Sequence, residues 1–231
     1  MSPSISAIVR TRLAHTDIDA APIAGPCFIL GSAPGAAGLP GSGGPWTLIT
    51  VNASQVIAEA WGVSTPDITV MSDQMLGTSP ANLAAKEALQ GRGCGTLVLI
   101  TRKYTLDDSI QRLRDIGYGW KRLAPIDHWQ RSKIVWRVTG EYLAAGSGGE
   151  KVSTGFFAIF LARHLGGAPI VADGFSLSKH GHGYNQFAHH REHIETDTSA
   201  LAAMHRLSGI YACGPDFAEE SGLPAYGSAG R

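Results

Sequence analysis

The chain has 231 residues, of which 44% are hydrophobic and 16% are charged, a composition typical of a folded protein and not of a disordered one. Its 19 basic and 19 acidic residues cancel, which argues against a nucleic-acid binder that relies on an overall positive field. The three widely spaced cysteines, Cys27, Cys94 and Cys213, indicate neither a disulfide framework nor a Cys-x-x-Cys zinc site, and they favour a reducing cytoplasmic setting.

The N-terminal residues 1–19 lack the apolar run of a signal peptide, and no segment reaches membrane-spanning length. We therefore expect a soluble cytoplasmic protein. Docking on the inner face of a membrane stays open as a further property.

Short apolar runs alternate with helix-like segments along the chain, after an irregular arm at residues 1–24. The predicted strands are 27–30, 46–51, 68–71, 96–101, 169–172 and 210–213. The predicted helices are 53–61, 80–90, 106–116, 153–165 and 198–207. The predicted loops are 35–45 and 146–149, and a loose tail covers 218–231. The segment 120–143 mixes aromatic and basic residues and is ambiguous.

This alternation predicts an α/β fold, with a single Rossmann-like domain over residues 25–217. Its sheet would be mostly parallel, with helices on both faces. Ligands bind such sheets at the carboxyl ends of the strands. The residues that directly follow predicted strands should therefore converge on one cleft: Gly31–Gly35, Asn52–Ser54, Asp73 and the segment after Asp173.

Three short motifs follow strands or begin a helix, and each has two interpretations. Gly31-Ser32-Ala33-Pro34-Gly35 could cradle an anion with its amides or simply end a strand, since it is neither Gly-x-Gly-x-x-Gly nor a P-loop. Asn52 could bind a nucleotide, or it could cap a helix, and Asp73 allows the same two interpretations. Ser153-Thr154-Gly155 begins an apolar helix whose first amides favour an anion, unless they are merely capped.

Five histidines lie between residues 179 and 195, and histidine is the side chain that titrates near neutrality. They could form a metal site, because His189 and His193 have helical ligand spacing and His190 could join them, although there is no His-Glu-x-x-His. They could also be solvated and without function. In a third interpretation one histidine is a general base, with the nearby carboxylate of Glu195 to orient it.

Taken in order, these motifs resemble those of the CMP-sialic acid-dependent sialyltransferases of glycosyltransferase families 29 and 42. The similar segments are 28–35, Val51-Asn52, Ser153-Thr154-Gly155-Phe156, Ala172-Asp173-Gly174-Phe175, His182-Gly183-Tyr184-Asn185, the His-x-x-x-x-Glu pattern of 190–195, and 197–215. The chain departs from the pattern at two points. His193, followed by Asp197, competes with His190 for the position of the base, and Ser176 stands where some bacterial members carry a phosphate-binding tyrosine.

The resemblance implies inverting transfer of an acidic sugar, sialic acid or Kdo, from its CMP ester to a hydroxyl of a glycan or glycolipid, with neither metal nor cofactor. It implies catalytic roles for His190 or His193, Glu195 and Tyr184. It implies substrate-binding roles for Gly31, Ser32, Ala33, Pro34, Gly35, Asn52, Ala53, Ser54, Asp73, Ser153, Thr154, Gly155, Asp173, Gly174, Phe175, Ser176 and His182.

Two other functions remain possible for the same sequence. A nucleotide-dependent pyrophosphokinase or hydrolase would share the glycine segment and Asn52, and it would need Mg²⁺ carboxylates such as Asp73 and Asp173. A non-catalytic module would use the histidines to bind a metal ion.

Overall fold

The structure is a computed structural model that describes residues 18–41, 44–145, 150–179, 181–185, 187 and 193–227. In these ranges the strands are β1 (Gly25–Leu30), β2 (Thr47–Val51), β3 (Ile68–Ser72), β4 (Gly93–Thr101), β5 (Gly119–Asp127), β6 (Ala144–Ala145), β7 (Glu150–Lys151), β8 (Gly167–Asp173) and β9 (Ile210–Ala212). The α-helices are α1 (Gln55–Glu59), α2 (Pro80–Leu89), α3 (Leu106–Asp115), α4 (His128–Thr139), α5 (Thr154–His164), α6 (Ile194–Met204) and α7 (Pro215–Ser221).

The main sheet of the described residues has seven strands in the order β5-β4-β3-β2-β1-β8-β9, and all of its pairs are parallel. β6 and β7 form a separate two-stranded antiparallel pair. The predicted α/β fold with a mostly parallel sheet is therefore confirmed. The strand order reverses between β1 and β8, so β1 and β8 leave a crevice at their carboxyl ends, where ligands bind in such folds.

Helices cover both faces of the sheet, because strands buried on both sides carry apolar residues that point alternately to each. On one face Ile29, Ile49 and Val70 pack with α4, α5 and α6. On the other face α1, α2 and α3 pack against residues such as Phe28 and Leu99. The residues of α5 from Phe156 to Ala162 are all buried, as expected for a helix that is apolar all round.

The ambiguous segment 120–143 consists of a strand and a helix. β5 is an edge strand of the described sheet, and its outer positions are exposed and polar, so it lacks a clear apolar alternation. α4 follows directly, and Asp127 and Gln130 form a capping box at its start. The last long helix starts at Ile194 and ends at Met204, earlier than the predicted 198–207, because Glu195 and Asp197 suit a first helical turn.

The predicted loose tail is wrong for residues 218–227. α7 ends at Ser221, Leu223 is 4% exposed, and Ala225 pairs with Ala212 at the edge of the sheet. The ring of Tyr226 contacts that of Trp46, with centroids 5.4 Å apart. These apolar side chains bind the segment to the core. The predicted arm 1–24 is described only from residue 18, and the loop 146–149 lies outside the described residues.

Candidate functional site

A cavity of about 480 Å³ opens at the carboxyl ends of β1, β2, β3 and β8. Many of the residues that the sequence predicts for one cleft line it together, namely Gly31, Ser32, Ala33, Asn52, Ser153, Thr154, Gly155, Gly174, Phe175, His182, Tyr184 and His193. They come from segments far apart in the chain, which the parallel sheet brings to one edge.

The loop after β1 is in direct contact with the loop after β8. The amide of Gly31 donates to the carbonyl of Asp173 (2.8 Å), and the amide of Ala33 donates to that of Gly174 (2.7 Å). A Cβ atom at position 31 would lie 2.3 Å from the Gly174 carbonyl oxygen, so only glycine fits there. Pro34 and Gly35 are exposed and do not line the cavity, contrary to the prediction for the whole motif.

Asp173 shapes this loop from behind the cavity. It is 2% exposed, and its Oδ2 accepts from the Ala37 amide (2.6 Å) while its Oδ1 accepts from the Gly174 amide (2.8 Å). Burial raises the pKa of this carboxyl, and the two amides oppose the shift. Asp173 does not line the cavity, so its contact with substrate stays a prediction.

Asn52 lies at the cavity in a left-handed conformation, with φ of 51°. Its Oδ1 accepts from the amide of Ser72 (3.1 Å), which links the ends of β2 and β3. It is not a helix cap, because the N-cap of α1 is Ser54.

Ser54 and Ala53 are fully buried behind the cavity. The Ser54 hydroxyl donates to the Leu30 carbonyl and accepts from the Val51 amide, both at 2.8 Å. Ser54 therefore ties β1 to β2, and neither Ala53 nor Ser54 lines the cavity, so their substrate contacts stay predictions.

Asp73 is also buried away from the cavity. Its Oδ2 accepts from three consecutive amides, those of Arg102, Lys103 and Tyr104, at 2.7–2.8 Å. This carboxylate therefore holds the loop after β4. Asp73 does not line the cavity, and its role in substrate binding or as a Mg²⁺ ligand stays a prediction.

The start of α5 forms one wall of the cavity. The Ser153 hydroxyl accepts from the Phe156 amide (3.3 Å), so Ser153 is the cap, as predicted. A Cβ at Gly155 would lie 2.9 Å from a ring atom of Phe175, so glycine allows this close approach. The first-turn amides have no partner within the helix, and the positive end of the helix dipole is at this wall.

Two charged residues that were not among the predicted catalytic or substrate-binding residues support this wall. Asp197 is 4% exposed, lines the cavity, and accepts from the Ser153 amide with its Oδ1 (2.8 Å). Arg131 donates from Nη2 to the Val152 carbonyl, and its guanidinium lies over the ring of Phe157. Burial lowers the pKa of Arg131 to about 10, and the negative charge of Asp197 opposes the shift. Asp197 follows His193 by four residues, and this spacing was the feature of the sequence that could have indicated Asp197 as a site residue.

The turn at 181–185 closes the cavity over the loop after β1. His182 Nδ1 lies 2.9 Å from the Ser32 hydroxyl, and the Gly183 amide donates to the Ser32 carbonyl (2.7 Å). The rings of His182 and Tyr184 are stacked, with centroids 5.0 Å apart. Burial raises the pKa of Tyr184, so its hydroxyl keeps its proton and can donate.

His193 occupies the N-cap position of α6 and lines the cavity. Its Nδ1 is buried and has no hydrogen-bond partner in the described part of the protein. Glu195 is exposed on the first turn of α6 and lies outside the cavity, and its place beside a catalytic base stays a prediction. His189 and His190 lie outside the described residues.

Ser176 is buried beside the cavity and does not line it. Its hydroxyl accepts from the amides of Ser178 (3.1 Å) and Lys179 (2.8 Å) and so forms a turn. The contact of Ser176 with substrate stays a prediction.

The opposite wall of the cavity consists of neutral polar side chains that were not predicted: Ser72, Gln74, Ser79 and Asn82. Ser72 ends β3 and Gln74 follows it, and both come after the predicted strand 68–71, so the rule of polar residues after strands would have found them. Ser79 and Asn82 belong to the start of α2, where Ser79 is the N-cap. The sequence indicated only a helix there.

No group of three or more His, Cys, Asp and Glu side chains in the described ranges is arranged to hold a metal ion. None of the helices in that part of the chain combines the length and the apolarity needed to cross a membrane.

At the level of sequence, no protein-family model and no curated protein matches the chain. The fold, however, is similar to that of solved sialyltransferases from Campylobacter jejuni. CstII in complex with the substrate analogue CMP-3FNeuAc has a TM-score of 0.51 at 10% identity, over 87% of this chain and 86% of that one. The monofunctional alpha-2,3-sialyltransferase Cst-I has a TM-score of 0.52 at 10% identity, over 90% and 83%. The chain therefore has the α/β fold of these sialyltransferases.

Proposed function

We propose that the protein is a sialyltransferase-like glycosyltransferase, which moves an acidic sugar from its CMP ester to a hydroxyl of a glycan or glycolipid acceptor. One observation carries the proposal. The motifs that resemble those of sialyltransferases meet at a single cavity, in a fold similar to that of CstII in complex with CMP-3FNeuAc. A glycolipid acceptor would also bring the protein to a membrane surface, and no contact with nucleic acid is needed.

The donor would be held by amides and neutral polar groups. Ser32 and Asn52 are suited to the phosphate and nucleoside, and the start of α5 is suited to an anionic carboxylate or phosphate. This arrangement can bind donor charge without a metal ion. Tyr184, with a protonated hydroxyl, and His182 are the side chains that would assist the departing phosphate.

In the proposed reaction the bond between the anomeric carbon and the phosphate oxygen breaks, and CMP leaves with both electrons of that bond. The acceptor oxygen attacks from the opposite face, so the configuration inverts. His193 takes the acceptor proton, because its imidazole lines the cavity and its Nδ1 has no partner among the described residues. His190 is the alternative base.

The pyrophosphokinase or hydrolase is the weaker candidate, because the two carboxylates it needs are already bound to backbone amides. A thermal-shift experiment with CMP and ATP, each with and without Mg²⁺, separates the two functions. We expect CMP alone to raise the melting temperature, since a ligand at a hundred times its Kd stabilises by about 2.7 kcal/mol. Stabilisation by ATP only in the presence of Mg²⁺ would instead support the rival.

The transfer itself is tested by incubation with CMP-sialic acid or CMP-Kdo and a mixture of glycan acceptors. Release of CMP together with a glycosylated product is the expected result. If CMP is released without such a product, the protein is a hydrolase of CMP-sugars, and the proposal fails.

We expect Asn52→Gly to weaken CMP binding about tenfold, the loss of one polar contact to a charged ligand. Glycine accepts the positive φ of this position, so the backbone keeps its path. Asn52→Asp is the matched variant, which keeps the oxygen that accepts from Ser72 but adds a negative charge, and it should weaken CMP binding more. Calorimetric titration measures both. Unchanged affinity in Asn52→Asp would place CMP elsewhere.

A further inference from the structure

A group of cationic side chains lies at the same edge of the sheet as the cavity, beyond the end of β3. β4 pairs with β5 so that Thr101 is opposite Asp127. Arg102 is the first residue after β4, and His128 is the first residue after β5. The two residues therefore lie side by side at this edge of the sheet. Asp73 fixes the backbone of Arg102, and His128 begins α4, whose dipole adds positive potential there.

Lys151 and Arg131 complete this group and connect it to the cavity. Arg131 lies one turn after His128 on α4, and its bond to the Val152 carbonyl places it next to Lys151. Ser153, two residues after Lys151, lines the cavity. The Nε of Arg131 is buried and has no hydrogen-bond partner among the described residues.

At Lys151 and at His128 the neighbouring basic side chains act more strongly than the carboxylate of Asp127. Burial, together with the charges of Arg102 and Arg131, lowers the pKa of Lys151 to about 8, and Asp127 opposes the shift. Burial also lowers the pKa of His128, with Lys151 and Arg102 adding to the shift. The carboxylate of Asp127 is engaged with the Gln130 amide (2.7 Å). An added anion would relieve this repulsion.

Exposed aromatic rings flank the cations. Trp129 is 57% exposed, and its ring centroid lies 5.0 Å from that of His128. Tyr142 is also 57% exposed, and it shares a small depression with Arg131 and Lys151. Aromatic surfaces with a polar group nearby are suited to ligands that have an apolar side and a polar side, as sugar rings do.

We propose that Arg102, His128 and Lys151, with Trp129 beside them, form an acceptor subsite that binds an anionic group, a phosphate or a carboxylate, on the acceptor saccharide. The proposal rests on the proposed transfer and adds the chemical class of its acceptor. The subsite borders the cavity at Ser153, so an acceptor held there can extend a hydroxyl toward the donor.

The test is a calorimetric titration of the protein saturated with CMP, using glucose 6-phosphate, glucuronic acid and glucose. We expect the two anionic sugars to bind at least about tenfold more tightly than glucose, as for charge-assisted hydrogen bonds. A preference between the two distinguishes phosphate from carboxylate. Equal binding of all three sugars, or no binding of any, overturns the proposal.

Arg102→Gln and Lys151→Gln should each weaken the anionic sugars about tenfold and leave CMP affinity unchanged. Lys121→Gln is the matched control, since it removes one exposed charge from β5 outside the group. If Lys121→Gln lost as much affinity for the anionic sugars, the general electrostatic field of the protein, and not this group of side chains, would account for the binding. Competition between CMP and the anionic sugar would place the anion in the donor cavity, which also overturns the proposal. If CMP does not bind at all, the proposed function is contradicted instead. The subsite can still be tested in that case, by titrating the sugars without CMP.

Binding of the anionic sugars should weaken as the pH rises through about 8, where Lys151 loses its proton. Its depressed pKa makes the charged form progressively rarer above that value. Lys151→Gln should remove this pH dependence and Arg102→Gln should keep it. A flat profile in the unmodified protein would exclude Lys151 from the subsite.

Discussion

His193→Ala is expected to lower the rate of sugar transfer by about a hundred- to ten-thousandfold, the range typical of a lost general base. CMP should still bind, because Ser32, Asn52 and the start of α5 remain. Stability should change little, since the His193 side chain makes no capping hydrogen bond to α6. Single-turnover rates with a CMP-sugar, together with CMP titration, measure the two effects separately.

His190→Ala and Glu195→Gln are the variants to compare with it. Glu195 is exposed outside the cavity, so its replacement should leave transfer almost unchanged. A large loss in His190→Ala with full activity in His193→Ala would assign the base to His190. If both histidine variants keep full activity, neither is the base, and the proposed mechanism is wrong.

Asp73→Ala is expected to lower the free energy of unfolding by about 3–4 kcal/mol, because three amides of the loop after β4 lose a charged acceptor. For a chain of this size that corresponds to a fall in melting temperature of roughly 10 °C. Asp73→Asn keeps one oxygen for these amides and should cost clearly less. Thermal or denaturant unfolding measures both.

Asp107→Ala is the control for the loss of a carboxylate. It is an exposed residue in the first turn of α3, where its charge contributes only about 0.3–1 kcal/mol through the helix dipole. If Asp73→Ala destabilised the protein no more than Asp107→Ala, the structural role of Asp73 would be contradicted. A variant that lost Mg²⁺-dependent activity at unchanged stability would support a metal ligand at this position instead.

The sequence by itself determined the class of fold, because apolar runs that alternate with helical segments can be buried only in a sheet with helices on both faces. The strands near 27–30, 68–71 and 96–101 were found from this pattern alone. It also indicated the carboxyl edge of the sheet as the site, since residues that follow parallel strands meet there. The strand within the segment 120–143 was not predicted, because an edge strand exposes its polar positions to solvent and therefore lacks the apolar pattern of a buried strand.

Only the tertiary structure decided which polar residues of that edge face the cavity. Asp73, Ser54 and Ser176 follow strands as Asn52 does, and Asp173 ends β8, yet each of the four turns inward. Their oxygens accept hydrogen bonds from backbone amides that burial would otherwise leave unpaired, and that need depends on the path of the backbone elsewhere in the chain. The contacts of Asp197 with Ser153, and the grouping of Arg102 with Lys151, likewise join segments distant in sequence, whose proximity no local pattern encodes.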